Sequence, residues 1–366
     1  MDSAPLLTTR HQQVLQATVR HYVATAEPVG SRALTQEYDL RVSPATVRNT
    51  MGWLEKYGFL YQPHPSAGRV PSDWGYRLYV DRLMQSSGKL ARQVDTMLSE
   101  ELGWAGWSLE ALLKEVTQIL AQVTGYLALV TLPQASTALI RHIQLVQVGV
   151  GQLLVIVLLD CLSTESILVP LRDWHRPGAT DTLGGSQLEM LSNFLTHHLQ
   201  GRPLLDVAQL DWSALGEDFE RYGVMLGRAL EELARRSRLT MSTQLVVSGL
   251  AEVLRQPEFA DAQHIQAIVR LLEEGQAQLW PLLFEAPPVT PQARPEDVRV
   301  WIGSENPIEP MQGCALVVSS YRRQENALGS VGVLGPTRMV YENAVEVVKA
   351  TADYLSHTLS PGSEAS

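Results

Sequence analysis

Cysteine is nearly absent from this 366-residue chain: Cys161 and Cys314 stand far apart, and neither belongs to a CxxC pair. A disulfide framework and a cysteine-based zinc site are thereby excluded, and two buried thiols in a reducing compartment are expected. His11, His21 and His64 share no ligand spacing and read as surface residues rather than metal ligands. Long apolar runs are also missing. The longest strongly apolar stretch, Leu153 to Leu159, falls far short of the roughly 20 residues that a membrane-spanning helix needs. Met1 to Leu7 carry no basic n-region and too short an apolar run for a signal peptide. A cytoplasmic protein without membrane attachment is expected. No Ser/His/Asp set, no paired carboxylates and no phosphate loop followed by lysine stand out. The expectation is a protein that is not an enzyme and holds no cofactor.

Basic charge is scarce overall, 29 Lys and Arg against 39 Asp and Glu, for a formal net charge of −10. A chain that coats nucleic acid uniformly is excluded. The scarcity is uneven. Residues 1–92 hold 11 Lys/Arg and 7 Asp/Glu, about +4, which leaves about −14 on the rest. A basic front on an acidic body suits a specific DNA reader, because the body repels the phosphate backbone and limits indiscriminate binding.

Within that basic front, residues 43–55 read as a recognition helix. Ser43 is a good N-cap and Pro44 suits the first helical position, where no N–H is needed. Val47, Met51 and Leu54 fall at i, i+4 and i+7 and form one buried stripe. Thr46, Arg48 and Asn49 point elsewhere near the N-terminal end, where a helix in the major groove meets base edges. Upstream, Thr9 with Gln12 reads as a capping box opening a helix to about Ala24. Glu27 to Gly30 break it, Ser31 opens a short helix to about Tyr38, and residues 39–42 turn. Downstream, Gly58 stops the third helix. Residues 59–62 and 69–71 form two short strands around the turn 64–68, a hairpin in the place of a wing. Thr46, Arg48 and Asn49 are expected on bases, and Ser66 and Arg69 on the backbone or minor groove. Arg41 and Ser43 are expected on phosphates. Trp53 reads as a packing residue, and Glu55 as a possible ion-pair partner of Arg48.

Asp73 reads as the cap of a fourth helix, and residues 85–88 as a hinge to the body. The body alternates in character. Strands are expected at Leu127–Thr131, Ile140–Val148, Leu153–Leu159 and Ser166–Leu171, with Leu153–Leu159 central because it is apolar throughout. Residues 185–240 look helical, with stripes at Leu188, Leu191, Leu195 and Leu199 and at Met225, Leu226, Ala229, Leu230 and Leu233. Strands return at Leu245–Val247, Val298–Ile302, Ala315–Ser319 and Ser330–Leu334. A last helix follows, with Val340, Ala344, Val347, Val348, Thr351 and Leu355 on one face. This order is an α+β sensor-like domain carrying an insertion. The inserted helices need cover, which a second copy of the chain can supply. Two glycine-bearing segments, 303–307 and 329–336, read as loops, the second preceding the last helix with Arg338 in its first turn. Strand-end and cap geometry is the favoured role there over anion binding.

Several blocks together resemble one family. They are Glu27 to Ser31, Ser43 to Glu55, His64 to Pro71, Gly75-Tyr76-Arg77, Gln256 to Phe259, Ile302 to Asn306, and Gly335 to Tyr341. In this order, over nearly the whole chain, they are similar to the heat-inducible transcription repressor HrcA family; Gly52-Trp53 depart from its usual smaller or more helix-favouring residues. The resemblance implies an N-terminal winged helix-turn-helix over residues 1–88. It implies a GAF-like domain over 89–366, interrupted by a helical dimerising insertion at about 180–245. It further implies a homodimer on an inverted-repeat operator, the CIRCE element, upstream of chaperone genes, with a GroEL-type chaperonin keeping the repressor active. A metabolite-responsive regulator using the GAF-like body as sensor is the alternative.

Overall fold

The computed structural model describes residues 7–359 except 86, 103–107, 134–138, 150, 161–163, 171–184, 205–225, 236–244, 260–261, 286–297 and 324–325. Cys161, Met225 and Leu171 therefore lie outside the described residues. Cys314 is fully buried, and burial pushes its thiol up to about 12.

Three helices open the chain: α1 (Thr9–Thr25), α2 (Ser31–Glu37) and α3 (Pro44–Lys56). Their caps differ from expectation by one residue in two cases. Thr8, not Thr9, caps α1, with His11 at the third position. The Thr8 hydroxyl accepts the His11 N–H, and the imidazole accepts the Thr8 N–H, both at 3.3 Å. Gly30 precedes α2, so Ser31 lies inside its first turn rather than capping it. Strands β1 (Leu60–Tyr61) and β2 (Val70–Pro71) pair antiparallel after α3. Helix α4 (Asp73–Leu78) is capped by Ser72, whose hydroxyl accepts the Gly75 N–H at 3.1 Å, which frees Asp73 for another partner. A π-helical turn, Tyr79–Leu83, completes the segment.

The body holds a five-stranded antiparallel sheet in the order β7-β3-β10-β9-β8. Its strands are β3 (Leu127–Thr131), β7 (Leu245–Ser248), β8 (Arg299–Ile302), β9 (Cys314–Arg323) and β10 (Asn326–Pro336). Every residue of β3 is buried, because both faces of the sheet are covered. Ala128 and Val130 face the core shared with α6 (Leu109–Thr124) and α12 (Tyr341–Thr358). Leu127 and Leu129 face the opposite core, built by α9 (Leu250–Val253), α10 (Ala262–Glu274) and α11 (Gln276–Phe284). Helix α5 (Lys89–Glu101) packs on α12.

Strands β4 (Ile140–Gly149), β5 (Gln152–Leu159) and β6 (Thr164–Pro170) do not join that sheet. They form a separate antiparallel meander with β5 in the middle. The interruption of the main sheet thus runs from the end of β3 to the start of β7, wider than the expected 180–245. Alternation shows that one strand face is buried but not against what, which is why the sequence left these strands in the body. Their inward residues, among them Ile143, Leu145, Val155 and Val157, cluster with Leu191, Leu195 and Leu199 of α7 (Gly185–Leu199) and with Leu226, Leu230 and Leu233 of α8 (226–235). Helix α7 also covers the edge of β4. The Ser192 hydroxyl accepts the Leu145 N–H and the Thr196 hydroxyl accepts the Ile143 N–H, both at 3.0 Å, which satisfies edge amides that would otherwise invite another strand.

Three other expectations change. The strand expected at Ser330–Leu334 is present and longer, as β10, so the segment 329–336 also read as a loop is strand throughout; Gly332 lets β9 come close, since a Cβ there would lie 2.7 Å from the Val317 carbonyl oxygen. Arg338 stands before α12 rather than in its first turn. The expected hinge is anchored. Gly88 has φ +64 and no capping side chain, so the first amides of α5 need an acceptor from elsewhere. Glu346 of α12, 6% exposed, supplies it, accepting from Ser87 N at 2.6 Å, Gly88 N at 2.8 Å and Leu90 N at 3.2 Å.

The turn after β8 depends on one buried side chain. Asn306 is 1% exposed, and its amide nitrogen donates to the carbonyls of Gly303 (3.0 Å), Met311 (3.0 Å) and Cys314 (3.1 Å). Asn306→Ala removes the side-chain donor to the Met311 and Cys314 carbonyls, while Gly303 keeps the backbone N–H of residue 306, and is expected to cost about 1–3 kcal/mol. Urea unfolding checks this; an unchanged midpoint would contradict it.

Candidate nucleic-acid interface

Helix α3 is built outward from its first turn. The Ser43 hydroxyl accepts the Thr46 N–H at 3.2 Å, and Pro44 takes the first helical position. Val47, Met51 and Leu54 are buried against the other helices. That stripe fixes the rotation of α3 and turns Arg48 and Asn49 outward, where both are exposed. Neither makes a hydrogen bond or ion pair with the described residues. Thr46 is half-buried, its hydroxyl 2.9 Å from that of Ser43. The two hydroxyls, the guanidinium and the amide thus share one end of one helix. Arg41 adds a cation in the preceding turn. Its φ of +51 bends the chain there, and its exposed side chain pairs with Asp39 at 3.2 Å.

The C-terminal half of α3 is occupied by packing. Trp53 stacks on His11 with ring centres 3.9 Å apart, and Tyr57 tilts against it. Burial, then Arg10, lowers the His11 pKa. Gly52 meets nothing within 4 Å of where a Cβ would stand, so this departure from helix-favouring residues leaves the packing intact. His21 is held by Glu37 at 2.9 Å, and His64 lies 3.0 Å from the Ser66 hydroxyl.

The hairpin is pinned from inside. Gln62 donates from its amide nitrogen to the carbonyls of Pro65 (2.9 Å) and Ala67 (2.8 Å), which closes the turn around exposed Ser66. Val29 bridges Arg69 through both backbone bonds, at 2.8 and 2.9 Å. Gly68 is required there, since a Cβ would stand 2.5 Å from the Pro28 and Val29 backbone. The Arg69 guanidinium turns back onto Glu55 of α3, at 2.9 Å, and is largely covered. Glu55 therefore pairs with Arg69, not Arg48. The hairpin is locked to α3 by Arg69, the cation expected on the backbone or minor groove. Sequence reading missed Arg32, which stands exposed in the first turn of α2 beside α3; its only signal was its place after Ser31.

Among the described residues, no cluster of three or more His, Cys, Asp and Glu side chains could hold a metal ion, and no helix is long and apolar enough to cross a membrane.

A family model described as the HrcA protein C-terminal domain matches residues 110–345. The chain is 51% identical to the heat-inducible transcription repressor HrcA of Trichormus variabilis, over 97% of this chain and 99% of that protein. It is 52% identical to the protein of the same name from a Cyanothece species, over 96% and 98%. One solved structure, of a hypothetical protein, superposes with a TM-score of 0.57 at 22% identity, covering 97% of this chain and 99% of that one, which shows a shared fold. The match covers more than half of the chain by family model and nearly all of it by relatives, and the chain belongs to the HrcA family.

Proposed function

We propose that the protein is a heat-responsive transcription repressor that binds an inverted-repeat operator as a homodimer in the cytoplasm. Helices α1–α3 and the β1–β2 hairpin form a winged helix-turn-helix, with α3 in the major groove. The observation that carries the reading is the pair Arg48 and Asn49. They are exposed, lack protein partners among the described residues, and stand on a helix whose rotation is fixed by its buried stripe. Arg48, Asn49 and Thr46 read bases; Arg41, Ser43 and Ser66 meet the backbone. Arg69 acts through position, holding the wing against α3 by its pair with Glu55. The five-stranded unit is a GAF-like body. The CIRCE operator and the dependence on a GroEL-type chaperonin come with the family and belong to the same proposal, as does repression of chaperone genes.

The dimer is expected through the inserted unit. The outward face of its sheet carries an apolar row: Val146, Leu154 and Leu168 pair across the three strands, and Val148 and Leu168 are 56% and 50% exposed. Burying such a face against a second copy gains the usual hydrophobic free energy. Leu168→Asp is expected to give monomers by light scattering and to weaken operator binding; an unchanged dimer would place the contact elsewhere.

Arg48→Ala tests the reading head. A base-reading arginine costs about 1–3 kcal/mol when removed, on the operator alone. Equal weakening on operator and scrambled duplex would make Arg48 a phosphate contact. No effect on either would remove α3 from the interface.

A further inference from the structure

Blocks far apart in the sequence meet where the N-terminal helices join the body. Arg77 of α4, 4% exposed, is held by both carboxylate oxygens of Glu305 and donates to the Val300 carbonyl at 2.5 Å. Asp73 accepts from the Ser304 N–H at 2.9 Å and its hydroxyl at 2.8 Å. Arg338 binds Glu258 and Gln256 of the body and reaches the Val23 carbonyl of α1 at 3.3 Å. The Tyr79 hydroxyl bonds to Glu342, and Glu346 holds the amides of residues 87, 88 and 90. Between these bridges lies a cleft of about 500 Å³, lined by Val19, Arg20, Tyr79, Met339, Glu342 and Glu346 among others. Beside the cleft the two units share one apolar core, in which the Tyr76 and Tyr341 rings lie 5.7 Å apart. The directional polar bridges around the cleft add the angular preference that non-directional apolar contact alone supplies poorly.

We propose that Arg77, Glu305 and Glu346 are positioning residues for operator recognition. They mount α3 at one angle on the body, and so set the separation of the two recognition helices in the dimer. This rests on the operator reading given above. A dimer gains from its second half-site only when both helices reach their grooves at once. A rigid mount concentrates that gain on one spacing, whereas a loose mount spreads it over several. The contacts that grip a single half-site, Arg48 and Asn49, lie on the exposed end of α3 and are left alone. The mount thus governs spacing and not grip.

The test uses the full-length dimer and two variants. Glu346→Gln weakens the acceptor that holds the α5 amides. Arg77→Met with Glu305→Gln removes both buried charges together, so that neither is stranded, and keeps an acceptor for the Ile302 N–H that Glu305 now binds at 2.9 Å. Cooperative melting above the assay temperature shows that each is folded, and faster hydrogen exchange at Ser87, Gly88 and Leu90 shows that Glu346→Gln has released them. Anisotropy titrations then compare a single half-site duplex, a CIRCE-type inverted repeat, and the same repeat with its spacer lengthened by a few base pairs. The variants are expected to hold the single half-site as the wild type does. They should lose roughly ten- to a hundredfold of the repeat's advantage over it, and tolerate the lengthened spacer better. Variants that are folded and keep the wild-type penalty for the longer spacer would overturn the mount. A wild type with no preference for the repeat over the half-site would overturn the operator reading itself, and the mount with it.

Discussion

A buried guanidinium constrains the arrangement of this protein. Arg77 sits 4% exposed in the joint between the N-terminal helices and the body, and a charge so placed must be met within the fold. Glu305 meets it from the turn after β8, with Asp81 and the Val300 carbonyl completing the shell. The turn that carries Glu305 is in turn held by Asn306. From Arg77 the linkage runs through stiff elements: α4 and the π turn pack on α1, and α1 packs on α3. The exposed end of α3 is therefore referenced to the main sheet through packed helices rather than across a free linker.

Charge is divided in the same way. The N-terminal unit carries the excess of cations and the body the excess of anions, yet the polar contacts across the joint use charged groups of both signs from both sides: Arg77 and Asp73 from one, Glu305 and Arg338 from the other. Their local pairing leaves Arg48 and Arg32 as exposed cations on α3 and α2, while Arg69 is withdrawn to fasten the hairpin. An acidic body behind a basic reading head lowers affinity for arbitrary DNA more than for a site that the head fits.

Where local chemistry decides, the sequence was legible. Ser43 and Pro44 start α3, the stripe Val47, Met51 and Leu54 faces in, and β3 and the stripe of α7 lie where period and polarity put them. What required tertiary partners was not legible. Alternation at Ile143 and Leu145 of β4 pointed to one wet and one buried face without revealing that the buried face packs on α7 instead of joining β3. Over 329–336 the apolar residues pointed to a strand at Ser330–Leu334 and the glycines to a loop; the strand holds, and Gly332 serves close strand approach. The hinge expected at 85–88 is closed by Glu346, some 260 residues away, and no local pattern announces such a cap. The same limit applies to the candidate site. Arg48 and Asn49 were readable because exposure follows from helix phase; the inward turn of Arg69 depends on Glu55 and the wing's fold.

The most direct test is a titration of purified protein against a CIRCE-type inverted repeat and a scrambled duplex of equal length, at two salt concentrations. Specific readers exceed their non-specific binding by about a thousandfold or more, and the account predicts such a preference, carried by a dimer and retained at the higher salt. Equal binding to both duplexes that falls steeply and alike with salt, with or without chaperonin present, would contradict it, because it would mean that α3 meets phosphates and reads no bases.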